Sequence, residues 1–220
     1  MDRRKFLIIG AASLAGTPPI AWAKAEEHET PVNPAEDLMQ EHGLLNRILL
    51  VYDESIRRLR GGIELDGAVL KDAAELLRHF VENYHEKTEE NDVFPRLEKA
   101  GKMVELCATL RKQHDAGREI TKRVIADCGA VKTKSADLIS LLESFNHMYR
   151  PHEAREDTVL YPAFRDMMSE KEYHELGEKF EDNEKKMVGD HGFEHAVEHI
   201  AKIEKELGIY DLAKFTPHVK

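Results

Sequence analysis

Apolar residues recur at alternating steps of four and three through four long stretches of the chain. The first carries Leu38, His42, Leu45, Leu49, Tyr52, Ile56 and Leu59 on one stripe. It opens on Asn33-Pro34, a capping residue followed by a proline suited to the first helical position, and stops at Gly61-Gly62. The second runs from about Gly67 toward Glu98, with Ala74, Leu77, Val81 and His85 on one face and Pro95 bending or ending its last turns. The third spans roughly Lys102 to Asp127, with Leu106, Leu110, His114, Gly117, Ile120 and Val124 inward and Gly129 as its stop. The fourth begins near Ser135 and carries Leu138, Leu142, Phe145, Tyr149, His152, Glu156, Val159 and Ala163. This is the period of amphipathic helices, and short connections make consecutive helices antiparallel neighbours. The pattern predicts an all-α fold, an up-down-up-down four-helix bundle over residues 34–168. Residues 169–220 form a C-terminal helical extension along the outside of the bundle. One of its helices opens on the Ser169/Glu172 capping box and the other runs from about Phe193 to Leu207.

The first 23 residues follow a different pattern. Arg3-Arg4-Lys5-Phe6-Leu7 precedes an apolar run from Ile8 to Ala15, and Ala21-Trp22-Ala23 supplies a small-x-small cleavage sequence. The run is too short to span a bilayer and is broken by Pro18-Pro19, so it resembles a twin-arginine export signal rather than a membrane anchor. That resemblance implies passage through the twin-arginine export machinery, cleavage near Ala23, a periplasmic mature protein and no stable membrane insertion. Asp2 and Ile8 depart from the commonest form of the signal. Residues 24–33 then read as a polar, flexible lead.

The chain has 220 residues, enough for one medium domain with a continuous core. Its formal charge is −10, spread along the length, which leaves nucleic-acid binding without electrostatic support. Removal of Asp2, Arg3, Arg4 and Lys5 with the signal takes that charge to about −12. Cys107 and Cys128 lie on one helix about 32 Å apart at 1.5 Å per residue, beyond disulfide reach, and are expected as free thiols.

Candidate chemistry lies in an internal repeat. His85-Glu-Lys-Thr-Glu89 with Phe94-Pro95 recurs as His152-Glu-Ala-Arg-Glu156 with Tyr161-Pro162, and upstream of each copy a helix carries one inward histidine, His42 or His114. A histidine and a glutamate four residues apart share one helical face. The chain is a duplicated helical hairpin. Closing two such hairpins brings four imidazoles and two carboxylates to one level of the core, where unpartnered they are costly to bury. A pair of cations resolves this, with Glu89 and Glu156 able to bridge, and the donor set suits iron or manganese better than calcium or magnesium. A ferritin-like site would need Glu-x-x-His twice; Glu82 precedes His85 suitably, but Tyr149 stands before His152.

The ordered set His42, His85/Glu89, His114 and His152/Glu156 resembles the hemerythrin-like cation-binding proteins over about residues 34–168. The resemblance implies two iron ions in an oxo- or hydroxo-bridged pair, with manganese or zinc as alternatives. It further implies a small oxidant or gas ligand, namely oxygen, peroxide or nitric oxide. Peroxidase-like, catalase-like or nitric-oxide-related turnover is one consequence; a non-catalytic metal-binding or gas-sensing module is the other. Two features depart from the oxygen carriers of that family. Arg118 stands where they place another histidine, and they use His-x4-Asp in the last helix, which makes Asp157 an alternative to Glu156 as the bridge. Reversible oxygen storage is therefore not expected.

Other residues carry weaker expectations. Glu86 and Glu153 point about 100° around the helix from the motif and read as solvated or as supports. Pro151 is expected to kink the last helix of the bundle. His191, His195 and His199 fall at helical spacing and read as a solvated face, with an auxiliary metal site as the alternative. Tyr52, Tyr84 and Tyr149 read as core packing, with approach to the metal level as the alternative.

Overall fold

The computed structural model describes residues 33–217, and the export-signal segment and most of the polar lead lie outside them. Six long helices follow one another, with no strand among the described residues. Helix α1 is Pro34–Gly61; it ends as its composition predicts, with Gly62 left-handed at φ 63° and the Ile63 N–H bonded to the Arg58 carbonyl at 2.9 Å. Helix α2 occupies residues 67–99, capped by the Asp66 carboxylate accepting from the Ala68 N–H at 2.8 Å. Its first turn lies directly on the end of the third helix. A Cβ on Gly67 would stand 2.0 Å from the Cys128 carbonyl oxygen, so only glycine fits. Helix α3 is Val104–Asp127, closed by a 3-10 turn at Cys128–Ala130. Helix α4 occupies residues 135–165 and passes through Pro151.

Two helices follow the bundle. Helix α5, Glu170–Met187, opens on the predicted capping box, and helix α6 is Gly192–Leu207. α6 packs on α1 and α2 and is fastened to α1 by the Arg47–Glu204 pair at 2.9 Å. α5 lies against α1, and the Tyr173 hydroxyl accepts from the Ala35 N–H at 2.9 Å.

The apolar interior falls into two clusters. The larger gathers Leu44, Ile48, Leu77, Phe80, Phe145 and α6; the smaller gathers Leu38, Phe94, Leu97, Leu110, Phe164 and α5. Between them lies a layer of buried histidine and carboxylate side chains: Glu41, His42, His85, Glu86, Glu89, His114, His152, Glu153 and Glu156.

Both motif-bearing helices widen at this layer. π-helical turns occupy Glu89–Val93 and Glu156–Leu160, and in each the aromatic residue's N–H bonds to the carbonyl of the motif glutamate five residues back: Phe94 to Glu89, and Tyr161 to Glu156. A proline follows each aromatic. It lacks the N–H an α-turn would use, and its ring would strike the carbonyl four residues back, so a turn with one extra residue accommodates it. That extra residue shifts the inward stripe. The spacing predicts Val159 and Ala163 inward; Leu160, Tyr161 and Phe164 take those places and the predicted pair is only partly covered. A third π-helical run covers Leu77–His85. Similarly, in α3 the covered positions include Cys107 and Thr121, while Leu106 and Ile120 are partly exposed. Both cysteines are unpaired and buried, as their separation predicts.

Candidate metal centre

His42 on α1, His85 and Glu89 on α2, His114 on α3, and His152 and Glu156 on α4 all meet in the polar layer, none more than 4% exposed. The structure brings all six sequence-predicted residues together. They form two triads, His42/His85/Glu89 and His114/His152/Glu156, and the candidate donor atoms within each lie inside 4.8 Å of one another. The carboxylates straddle the two hairpins. Glu89 Oε2 is 3.7 Å from His85 Nε2 and 3.5 Å from His114 Nε2. Glu156 reaches His152 Nε2 at 3.2 Å with Oε1 and His42 Nε2 at 3.3 Å with Oε2.

Each imidazole uses its outer nitrogen elsewhere. His42 Nδ1 bonds Asp157 at 2.7 Å, His85 Nδ1 bonds Glu41 at 2.8 Å, His114 Nδ1 bonds Glu90 at 3.1 Å and His152 Nδ1 bonds Gln113 at 2.8 Å. An Nδ1–H directed at an oxygen leaves the Nε2 lone pair of a neutral ring facing inward, the arrangement in which outer partners orient metal-ligating histidines. All four Nε2 atoms therefore converge with the carboxylates. His114 Nε2 and His152 Nε2 stand 3.2 Å apart. Glu89 Oε2 and both Glu156 oxygens are buried without a hydrogen bond. Acceptor set against acceptor in a closed core is unfavourable without a cation or added protons, and the donor set of imidazole nitrogen and carboxylate oxygen fits a transition metal.

The ionisation tendencies agree. Burial pushes the His85 imidazole down to about 3 and that of His114 down to about 4, so both rings are neutral donors at physiological pH. Burial also opposes charge on His42, but Asp157 and Glu156 overcome it and hold that ring well above its ordinary value. Burial and the neighbouring Glu156 carboxylate raise Glu89. Both shifts favour the protonated form, which eases the crowding of acceptors in the layer.

Asp157 lies outside the centre. Its carboxylate is 35% exposed and faces the outer nitrogen of His42, whereas Glu156 faces inward. Arg118 does not take up a ligand's position either; its guanidinium contacts Glu86 at 2.8 Å, Glu90, and Asp115 at 3.1 Å. Glu86 and Glu153 are buried supports rather than solvated groups. Tyr149 donates its hydroxyl to Glu86 at 2.6 Å and Asn46 donates to Glu153, while burial raises both carboxyls to about 8. Gly117 makes the Tyr149 contact feasible, since a Cβ there would fall 2.2 Å from the tyrosine oxygen.

Tyr161 is the residue that sequence reasoning passes over. Its ring stacks on His42 at 5.6 Å between centroids, and its hydroxyl donates to Glu89 at 2.8 Å and lies 3.4 Å from His42 Nε2. The signal was its place in the aromatic-proline repeat, whose other copy, Phe94, stacks in the same way on His114 at 5.7 Å.

These features are those of a cation-binding helical bundle. Residues 33–164 match the model of the hemerythrin HHE cation binding domain, and the chain belongs to that family. Uncharacterized proteins of Mycobacterium tuberculosis and Mycobacterium bovis are 43% identical to it over 218 residues, covering 96% of this chain and 86% of theirs. No solved structure matches the chain.

Proposed function

We propose that His42, His85, Glu89, His114, His152 and Glu156 hold two iron ions and that the protein binds or redox-processes a small oxidant or gas, namely oxygen, peroxide or nitric oxide. One observation carries the reading. Each of two buried carboxylates, with at least one oxygen that makes no hydrogen bond, lies against a histidine from each hairpin. Bound iron supplies electron exchange with such ligands.

The chain's own residues restrict what can arrive and how it is held. The six side chains lie beneath at least one layer of protein, so an entering molecule must be small or the cover must move. Leu38, Phe94 and Phe164 on one side, and Val81 and Phe145 on the other, keep bulk water from the layer. The Tyr161 hydroxyl holds a proton at Oη beside His42 and Glu89, where it can donate to a ligand. Four imidazole nitrogens and the Glu89 and Glu156 carboxylates would hold the ions, and Arg118, engaged with Glu86 and Glu90, would add no further ligand.

We also read residues 1–23 as a twin-arginine export signal that delivers a folded, metal-loaded protein to the periplasm. Fractionation tests this: changing Arg3 and Arg4 to Lys should retain the protein in the cytoplasm. Unchanged export would remove the reading.

For the centre, the decisive experiment is metal analysis of the host-expressed protein, followed by anaerobic reduction and stopped-flow mixing with oxygen, peroxide or nitric oxide. Iron at two per chain and a fast spectral change with at least one of these is the expected outcome. A spectrum that changes without consumption of the reagent assigns the protein to non-catalytic binding or sensing. A reduced, iron-loaded protein inert to all three would overturn the proposal.

A further inference from the structure

A second grouping of metal-binding side chains lies on the outer face of the molecule, away from the buried centre. On α6, His195 and His199 are one turn apart and therefore on one face. Opposite them on α2 stands Asp72, whose Oδ2 is 2.8 Å from His199 Nε2. The three side chains line one open groove of about 450 Å³ between the two helices. Asp72 precedes His85 by thirteen positions on the same helix, roughly 20 Å at 1.5 Å per residue, so this groove is not an extension of the centre.

We infer that His195, His199 and Asp72 form a surface site for a divalent transition metal of the zinc or copper(II) kind, a site that clips α6 onto the helix bearing His85 and Glu89. Two imidazoles and a carboxylate are a zinc-type donor set with a coordination position left open to water. The carboxylate already directs His199 into the groove. The exposed His195 ring, which packs edge-on to His191 at 6.4 Å between centroids, must turn to face His199. Both members of the His199–Asp72 pair are more than 40% exposed, so the bond between them contributes little by itself. An ion set between the same atoms fastens two helices that otherwise meet through apolar contacts. This inference is independent of the iron reading, because it uses none of the six buried ligands.

The test is a calorimetric titration of zinc(II) into the full chain with its buried centre left as isolated. One zinc beyond the centre's content is expected to bind. His195→Ala, His199→Ala and Asp72→Asn should each weaken that event at least tenfold, and His174→Ala, an exposed histidine on α5, should leave it unchanged. Zinc should also raise the melting temperature of the wild type but not of Asp72→Asn, a near-isosteric change at a half-exposed position that leaves the fold intact. Wild-type affinity in His199→Ala and Asp72→Asn would overturn the inference. So would an equal loss in His174→Ala, which would show adventitious binding to exposed imidazoles.

Discussion

The two halves of the centre are copies of one another, yet they are not chemically equal. His42 corresponds to His114, His85 to His152 and Glu89 to Glu156, and the supports follow the same duplication. The residue after each motif glutamate, Glu90 or Asp157, holds the lone histidine of the other hairpin, and the residue before each lone histidine, Glu41 or Gln113, holds the motif histidine of its own hairpin. Two of these pairs have diverged. His85 is backed by a carboxylate and His152 by an amide, while Tyr161 stands over His42 where Phe94 stands over His114. A carboxylate behind an imidazole makes it a stronger donor, and a hydroxyl over the site gives a ligand something to hydrogen-bond. The His42/His85 half is therefore expected to hold its metal more tightly and to be where a ligand is received.

The largest expected effect comes from a residue that serves both halves. Glu89 lies against a histidine of each hairpin, so Glu89→Ala should reduce metal from two per chain to fewer than one, whereas His152→Ala should empty only its own half and leave about one. Elemental analysis distinguishes these outcomes, and equal losses would mean that the halves are not separable. Next in size, Glu41→Gln should weaken the first half by about 10–100-fold, and Gln113→Glu should strengthen the second, bringing the stepwise loss to a chelator together. Unchanged release kinetics in both variants would remove the asymmetry.

Gly117→Ala probes the packing of α3 against the Tyr149–Glu86 contact. The added methyl meets the tyrosine oxygen, and overpacking of this kind should cost about 1–3 kcal/mol in denaturant unfolding. Tyr149→Phe combined with Gly117→Ala should recover part of that loss. The smallest effect is in protons. The Asp157 and Glu156 carboxylates raise His42 against the opposing effect of burial, and burial with Glu156 raises Glu89, so both shifts favour protons that loading of a metal would displace. Metal affinity should therefore rise with pH across neutrality, and calorimetric heats of loading should scale with the ionisation enthalpy of the buffer. Heats independent of buffer would show that the metal-free centre is already deprotonated.

The bundle and the six inward residues could be read from the sequence because both rest on local periodicity. A histidine in phase with leucines on a 3.6-residue stripe must face the core, and repetition of His-x3-Glu made coincidence untenable. The register beyond the motif could not be read in the same way. The π-turns before Pro95 and Pro162 insert a residue that a four-three spacing cannot anticipate, which moved Leu160 and Phe164 inward in place of Val159 and Ala163. Supports such as Glu41, Gln113 and Glu90 escaped notice because their partners lie on neighbouring helices. Which carboxylate meets which Nδ1 depends on the axial register between helices, to which hydrophobic patterning is blind. Glu86 was equally hidden: its partners are Tyr149 on α4 and Arg118 on α3.

The central claim is that two metal ions share the layer through Glu89 and Glu156. Anaerobic titration of iron(II) into metal-free protein, monitored by bound metal, tests it most directly. The account predicts saturation at two ions per chain in the wild type, fewer than one in Glu156→Ala, and two in Asp157→Asn. Saturation at a single ion in the wild type, or two ions retained in Glu156→Ala, would contradict it.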